Sequence, residues 1–248
     1  GGLVAGNIKL KVMKDKAAVS QEAAKLIANA IKRKPRFVLG LATGSTPEGT
    51  YGELAKLNKQ KKVSFREVTT FNLDEYWGIS PDHDQSYRYF MNKNLFNKVD
   101  INMFNTNVLN GLAEYPNLEC EAFENKIIAN GGVDLWLLGI GQNGHVAFNE
   151  PGSAVNSRTR LVSLTHSTID ANSDGRFFKR AQDVPRCALS AGIGTIRESR
   201  RIILLATGEN KAEALAAAVN GPFSPDCPAS LLQDHTDCTF IADKAAAS

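Results

Sequence analysis

The run Val133–Ile140, VDLWLLGI, limits the architecture more than any other stretch of the chain. It is too short to cross a membrane and is bounded by glycines, so it reads as a strand buried on both faces. The strand breaks into Gly139-x-Gly141-x-x-Gly144, which permits backbone turns that side chains would block. His145 follows directly, and Glu150 stands five residues on, ahead of Pro151. In open α/β sheets ligands sit just outside the carboxyl ends of the strands, so this strand delivers an imidazole and a carboxylate to a catalytic edge. Blander readings exist for both groups: His145 as a satisfied structural histidine, Glu150 as a helix-start or surface acid. A dinucleotide fingerprint is a further alternative, but no helix opens inside the motif and no acid follows about twenty residues later.

The rest of the chain alternates strands and helices. Ile8–Met13 reads as a strand and Ser20–Lys32 as an amphipathic helix. Phe37–Leu41 is a second buried strand, followed by a helix opened by Pro47 and running to about Leu57. Val68–Leu73 predicts a third strand ending in Asp74-Glu75-Tyr76-Trp77-Gly78. A helix over Ser86–Phe96, a short strand at Asn107–Leu109 and a helix over Leu118–Ile128 come before the central strand. Gly152–Pro185 is long, polar and without clear period, and is expected to act as a mobile lid. Ala188–Ile196 is expected to form a helix or turn near the core. Arg201–Ala206 reads as a strand, Lys211–Val219 as a helix and Thr239–Ala242 as the last strand. The expectation is one α/β domain over 1–248: a doubly wound, mostly parallel, Rossmann-like sheet with helices on both faces. Residues 1–7 are an expected unstructured or appended start, and about 152–185 the lid.

Composition excludes several functions. The net charge is only +3, with both signs interleaved, so no nucleic-acid footprint is present. No stretch is long and apolar enough for a membrane span, and the amino terminus lacks the layout of a signal peptide. Cys120, Cys187, Cys227 and Cys238 are isolated, which argues against a zinc or redox motif and fits a reducing, cytoplasmic setting.

Two further sites accompany the histidine loop. Thr43-Gly44-Ser45-Thr46 lies between a buried strand and a helix start, where amides, hydroxyls and the helix dipole favour an anion. It lacks the Gly-Lys-Ser/Thr of a nucleotide-hydrolysing loop, and a plain Ser/Thr helix cap is the simpler alternative. Asp74 and Glu75 end a buried strand, where a carboxylate is costly unless it serves something. Neighbouring residues on a strand face opposite ways, so only one can enter a given pocket, and a single carboxylate suits general-base work better than metal binding.

Leu73-Asp74-Glu75-Tyr76, Gly44-Ser45-Thr46-Pro47 and Gly144-His145-Val146-Ala147-Phe148-Asn149-Glu150-Pro151 together resemble the glucosamine-6-phosphate deaminase (isomerase) family. The resemblance runs from about Lys9 to Ala242. It includes Arg176-Phe177-Phe178, Thr207-Gly208 with Lys211, and the stretch from Cys227 to His235. Phe-Asn-Glu-Pro is its most specific part; the Gly-Ser-Thr-Pro loop is shared with 6-phosphogluconolactonases. The resemblance implies a cofactor-free and metal-free conversion of glucosamine 6-phosphate and water to fructose 6-phosphate and ammonia, in amino-sugar catabolism. It implies that His145 handles the ring-opening proton with Glu150 tuning it, and that Asp74 moves a proton between C2 and C1. The phosphate would rest on Thr43, Gly44, Ser45 and Thr46, clamped by Arg176 and Lys211.

The chain departs from regulated members at Asn143, where they carry an Asp, which leaves Asn143 an orienting role on His145. Arg160 matches one of their activator-binding basic residues, but Val162 stands where they have Lys. Activation by N-acetylglucosamine 6-phosphate is therefore expected to be weak or absent. The insertion Ser173-Asp174-Gly175 leaves the placement of Arg176 open. The expected partner is a small-molecule sugar phosphate, with no nucleic acid and no membrane, and a monomer is favoured over a homo-oligomer. Galactosamine 6-phosphate remains an alternative substrate. A related lactonase and a sugar-phosphate-sensing regulatory domain are the competing functions.

Overall fold

The computed structural model describes residues 6–164, 178 and 183–248. Among these, seven strands form one sheet in the order β1-β10-β9-β6-β2-β3-β5. They are β1 (Ile8–Met13), β2 (Val38–Leu41), β3 (Thr69–Asn72), β5 (Thr106–Asn107), β6 (Leu135–Leu138), β9 (Ile202–Ala206) and β10 (Cys238–Asp243). Every pairing in this sheet is parallel. Strands β4 (Asp74–Trp77), β7 (Arg160–Ser163) and β8 (Cys187–Ser190) form a second, antiparallel sheet in the order β4-β8-β7.

The uninterrupted apolar strands are explained by burial on both faces. In β6 and β9, Leu135, Leu137, Ile203 and Leu205 point into one core with Ile27 of α1 (Lys16–Arg33), Tyr51 and Leu54 of α2 (Ser45–Lys59) and Met91 of α3 (Tyr87–Asn94). Their neighbours Trp136, Leu138, Ile202 and Leu204 point into the other. There they meet Phe123 of α4 (Pro116–Ala129), Ile193 of α5 (Ile193–Arg197) and Leu215 of α6 (Ala212–Asn220). Helices on both faces of a parallel sheet are what a doubly wound fold requires. Gly40 of β2 is paired with Trp136, and a Cβ there would fall inside the indole, so glycine is what lets the largest core side chain lie flat across β2.

Three sequence expectations are corrected. Val68–Leu73 does not carry Asp74 on the main sheet: the chain leaves it after Asn72, and Asp74 instead opens β4 of the small sheet, paired with Ser190. Ala188–Ile196 is not one helix or turn but β8 followed by α5. The polar stretch after Pro151 contains strand β7, whose edge position leaves its residues only partly buried and hides any apolar pattern. The remainder of the expected lid includes residues 165–177 and 179–182, which lie outside the described residues.

Candidate active site

The strand order reverses at β2 and β6. From β2 the chain moves outward through β3 to β5; it then returns to β6 on the other side and moves outward through β9 to β10. Such a switch point opens a crevice at the carboxyl ends of the flanking strands. The loops leaving these strands carry Thr43–Thr46 after β2, Asp74 after β3, Asn143–Glu150 after β6 and Lys211 after β9.

The first of these loops is built for an anion. Gly44 is the residue before α2, with φ 102°, and no side chain caps the first turn. The first amides of a helix have no intrahelical acceptor, so those of Ser45 and Thr46 remain donors at a dipole end that favours negative charge. Pro47, third in the helix, costs nothing there because its missing N–H would be unpaired anyway. Beneath the loop, Tyr51 donates its hydroxyl proton to the Ala42 carbonyl from a fully buried position.

The histidine loop explains its glycines. A Cβ on Gly141 would overlap the His145 imidazole, so this glycine exists to let the ring lie against the backbone. Gly144 has φ +85° and approaches the Cys227 sulfur, at 2.6 Å from where its own Cβ would stand. No phosphate-binding helix opens here, which removes the dinucleotide reading.

His145 Nδ1 lies 2.7 Å from Asn143 Oδ1, and the Asn143 amide donates to Glu150 Oε2 at 2.9 Å. The backbone N–H of His145 also donates to Asn143 Oδ1, at 3.1 Å. An amide turned the other way would face its NH₂ against that N–H and its oxygen against the carboxylate, so the network fixes its orientation. Oδ1 is therefore an acceptor, Nδ1 carries the hydrogen, and Nε2 is left with its lone pair. Burial holds the imidazole below the usual histidine range, Glu150 opposes this, and Lys211 adds to it. Burial lowers the Lys211 ammonium as well.

Asp74 is 7% exposed and Glu75 1%. Burial, with the neighbouring Glu75 charge added, pushes the Asp74 carboxyl up to about 8. Glu75 turns away from it, as alternation along a strand requires, and accepts three backbone N–H bonds. Oε1 takes those of Tyr76 and Tyr87, both at 2.9 Å, and Oε2 that of Arg88 at 3.0 Å. Strand β8 ties the two halves of the site together: Ser190 pairs with Asp74, and its hydroxyl accepts the Phe148 N–H at 3.1 Å. Asn149, fully buried, donates to the Ala191 carbonyl at 2.8 Å and accepts from Arg160 at 2.6 Å. Arg176 lies outside the described residues. Among those described, no group of three His, Cys, Asp or Glu side chains is placed to hold a metal ion, and no helix is long and apolar enough to cross a membrane.

Residues 14–241 match the sequence profile of the glucosamine-6-phosphate isomerases/6-phosphogluconolactonase family. The chain belongs to this family. Within it, the chain is 52% identical to a glucosamine-6-phosphate deaminase of Shewanella loihica, over 97% of this chain and 89% of that protein. It is 55% identical to glucosamine-6-phosphate deaminase 1 of Giardia intestinalis, over 88% and 81% of the two chains. A solved structure of a monomeric glucosamine-6-phosphate deaminase superposes with a TM-score of 0.93 at 44% identity, covering 96% of this chain and 98% of that one. Family membership and a parallel sheet wound on both faces agree with the fold and the resemblance read from the sequence. Sequence reasoning had assigned Glu75 no role and missed the Ser190 link. The first was hidden because a cap is made to residues twelve and thirteen positions away, the second because β8 carried no strand signal.

Proposed function

We propose that the chain is a glucosamine-6-phosphate deaminase, converting glucosamine 6-phosphate and water to fructose 6-phosphate and ammonia. The observation that carries this reading is a base-ready imidazole and a buried, strongly basic carboxylate lying beyond the carboxyl ends of β6 and β3, the strands on either side of β2. The phosphate rests on the free amides and hydroxyls of Thr43, Gly44, Ser45 and Thr46, with Lys211 and, by family resemblance, Arg176 as counter-charges. Each charge-assisted contact of this kind contributes roughly 1.5–3 kcal/mol.

His145 Nε2 takes the C1 hydroxyl proton and returns it to the ring oxygen, opening the pyranose to the aldehyde. Asn143 holds the tautomer that makes this possible, and Glu150 fixes Asn143. Asp74 then removes the C2 proton to give an enolamine and delivers a proton to C1, leaving an iminium at C2. Water adds to C2, and ammonia departs as the ketone forms. A single carboxylate serving two adjacent carbons needs to be a good base at neutral pH, which its burial supplies. A lactonase would have no carbon proton to move and so no use for this carboxylate.

The same reading takes the protein as cytoplasmic and monomeric, and as unresponsive to N-acetylglucosamine 6-phosphate. Arg160 is turned onto Asn149 and the Arg158 carbonyl, and Val162 adds no second cation. The test is ammonia release coupled to fructose 6-phosphate detection, with glucosamine 6-phosphate and galactosamine 6-phosphate run side by side in EDTA. Turnover of the first is expected, with hyperbolic kinetics unchanged by the N-acetylated sugar phosphate. Turnover of neither substrate overturns the proposal, and a large activation overturns its regulatory part.

A further inference from the structure

The Glu75 carboxylate accepts three backbone N–H bonds next to the site, yet no step of the reaction uses it. Its three backbone donors come from two elements: Tyr76 of β4, and Tyr87 and Arg88, the first two residues of α3. With Ser86 accepting from the Tyr89 N–H at 2.9 Å, all three leading amides of that helix are satisfied. A neutral side chain such as Gln would meet this need only in part, because its NH₂ would oppose one of the three N–H donors. The site therefore selects an acid, and a helix amino terminus favours that acid in its charged form.

We propose that Glu75 is a positioning residue for Asp74: it pins β4, and with it the base, to the first turn of α3, and its carboxylate acts on the base through the buried strand that both share. The inference rests on Asp74 being the base of the deaminase reaction. Other groups face the pair. Tyr51 from α2 and Tyr87 from α3 both feel the Asp74 charge, and Tyr76 is bonded to Tyr87. Arg88 is the cation facing Glu75, and its guanidinium is anchored on Thr106 at 2.8 Å. Burial raises Glu75 to about 7, with the three amides and Arg88 opposing, so the charge is present over the upper part of the neutral range. The two tyrosines are neutral throughout that range, because burial raises both further above their ordinary value. Burial is the largest cause of the Asp74 shift; of the charged groups, Glu75 adds to it, and Arg88 acts through Glu75.

The experiment is the pH profile of kcat and kcat/KM for the wild type, Glu75→Gln, Arg88→Met and Asp74→Asn, each checked for folding by circular dichroism. Loss of the Glu75 charge is expected to move the acid limb of kcat/KM down by about one pH unit and to lower the plateau kcat several-fold, with KM little changed. Arg88→Met removes the cation that keeps Glu75 charged and is expected to move the same limb downward, by less than Glu75→Gln does, so it carries the test if Glu75→Gln does not fold. A merely structural cap predicts a lower rate with the limb unmoved in both variants, and that result overturns the proposal. If instead Asp74→Asn keeps near-wild-type turnover, the assignment of the base is what has failed. Inactive Asp74→Asn with unshifted limbs in the other two variants removes Glu75 alone.

Discussion

Replacing Asp74 by Asn should make the protein more stable and far less active, and the stability gain should depend on pH in a calculable way. Burial and the Glu75 charge raise the Asp74 carboxyl from 3.8 to about 8 in the folded chain. Between these values the unfolded chain has released the proton and the folded chain keeps it, so stability falls as pH rises. The slope for one such group is about 1.4 kcal/mol per pH unit. Stability from this group is complete below the unfolded value and is lost progressively until the folded value is passed. Across pH 5 to pH 8 the wild type should therefore lose on the order of 3–4 kcal/mol that Asp74→Asn keeps. Glu75 titrates in both proteins and largely cancels. Urea unfolding followed by fluorescence of the buried Trp136 at the two pH values measures the difference directly. Turnover of glucosamine 6-phosphate should fall by about 10²–10⁴ with substrate binding largely kept. Parallel stability profiles would refute the claim that Asp74 is held as a high-pKa acid, and near-normal turnover would refute its role as base.

Lys211→Ala should act mainly on KM, raising it by about tenfold or more as one charged phosphate contact is lost; an unchanged KM removes Lys211 from the clamp. Asn143→Asp places a carboxylate where an amide oxygen now lies 2.7 Å from His145 Nδ1, which favours the imidazolium. The acid limb of kcat/KM belonging to His145 should then move upward by about 1–2 pH units, and an unmoved limb shows that Nδ1 is not bonded to this residue in solution. Gly141→Ala puts a methyl group into the space of the imidazole and should cut kcat by about a hundredfold while circular dichroism stays native. Full activity in that variant means the ring does not rest on Gly141.

The features that sequence made legible are those with a local physical signature. Burial on both faces writes Leu135–Leu138 and Ile202–Ala206 as apolar runs, and a glycine-broken loop followed by His145 marks where one of them stops. The Thr43–Thr46 loop is legible because a strand, a glycine and a Pro-containing helix start are contiguous. What stayed hidden depends on partners remote in the chain. Nothing between Leu73 and Asp74 announces a change of sheet, because the residues on both sides are buried and no glycine or proline separates them. Strand β8 is four residues long and runs straight into a short helix, so its period had no length in which to appear. The role of Gly141 was readable only as freedom of the backbone; that the imidazole fills its missing side chain is a fact of packing.

The bonds of β8 also bear on how the site tolerates thermal motion. Asp74 is paired with Ser190, and the histidine loop is held by the Phe148 N–H on the Ser190 hydroxyl and by the Asn149 side-chain amide on the Ala191 carbonyl. Base and imidazole are thus fastened to one short crossbar in addition to the strands β3 and β6 from which their loops issue. A displacement of one loop relative to the other must strain these bonds, so the crossbar resists a change in the spacing of the two groups, much as the beam of a calliper holds its jaws at a set gap.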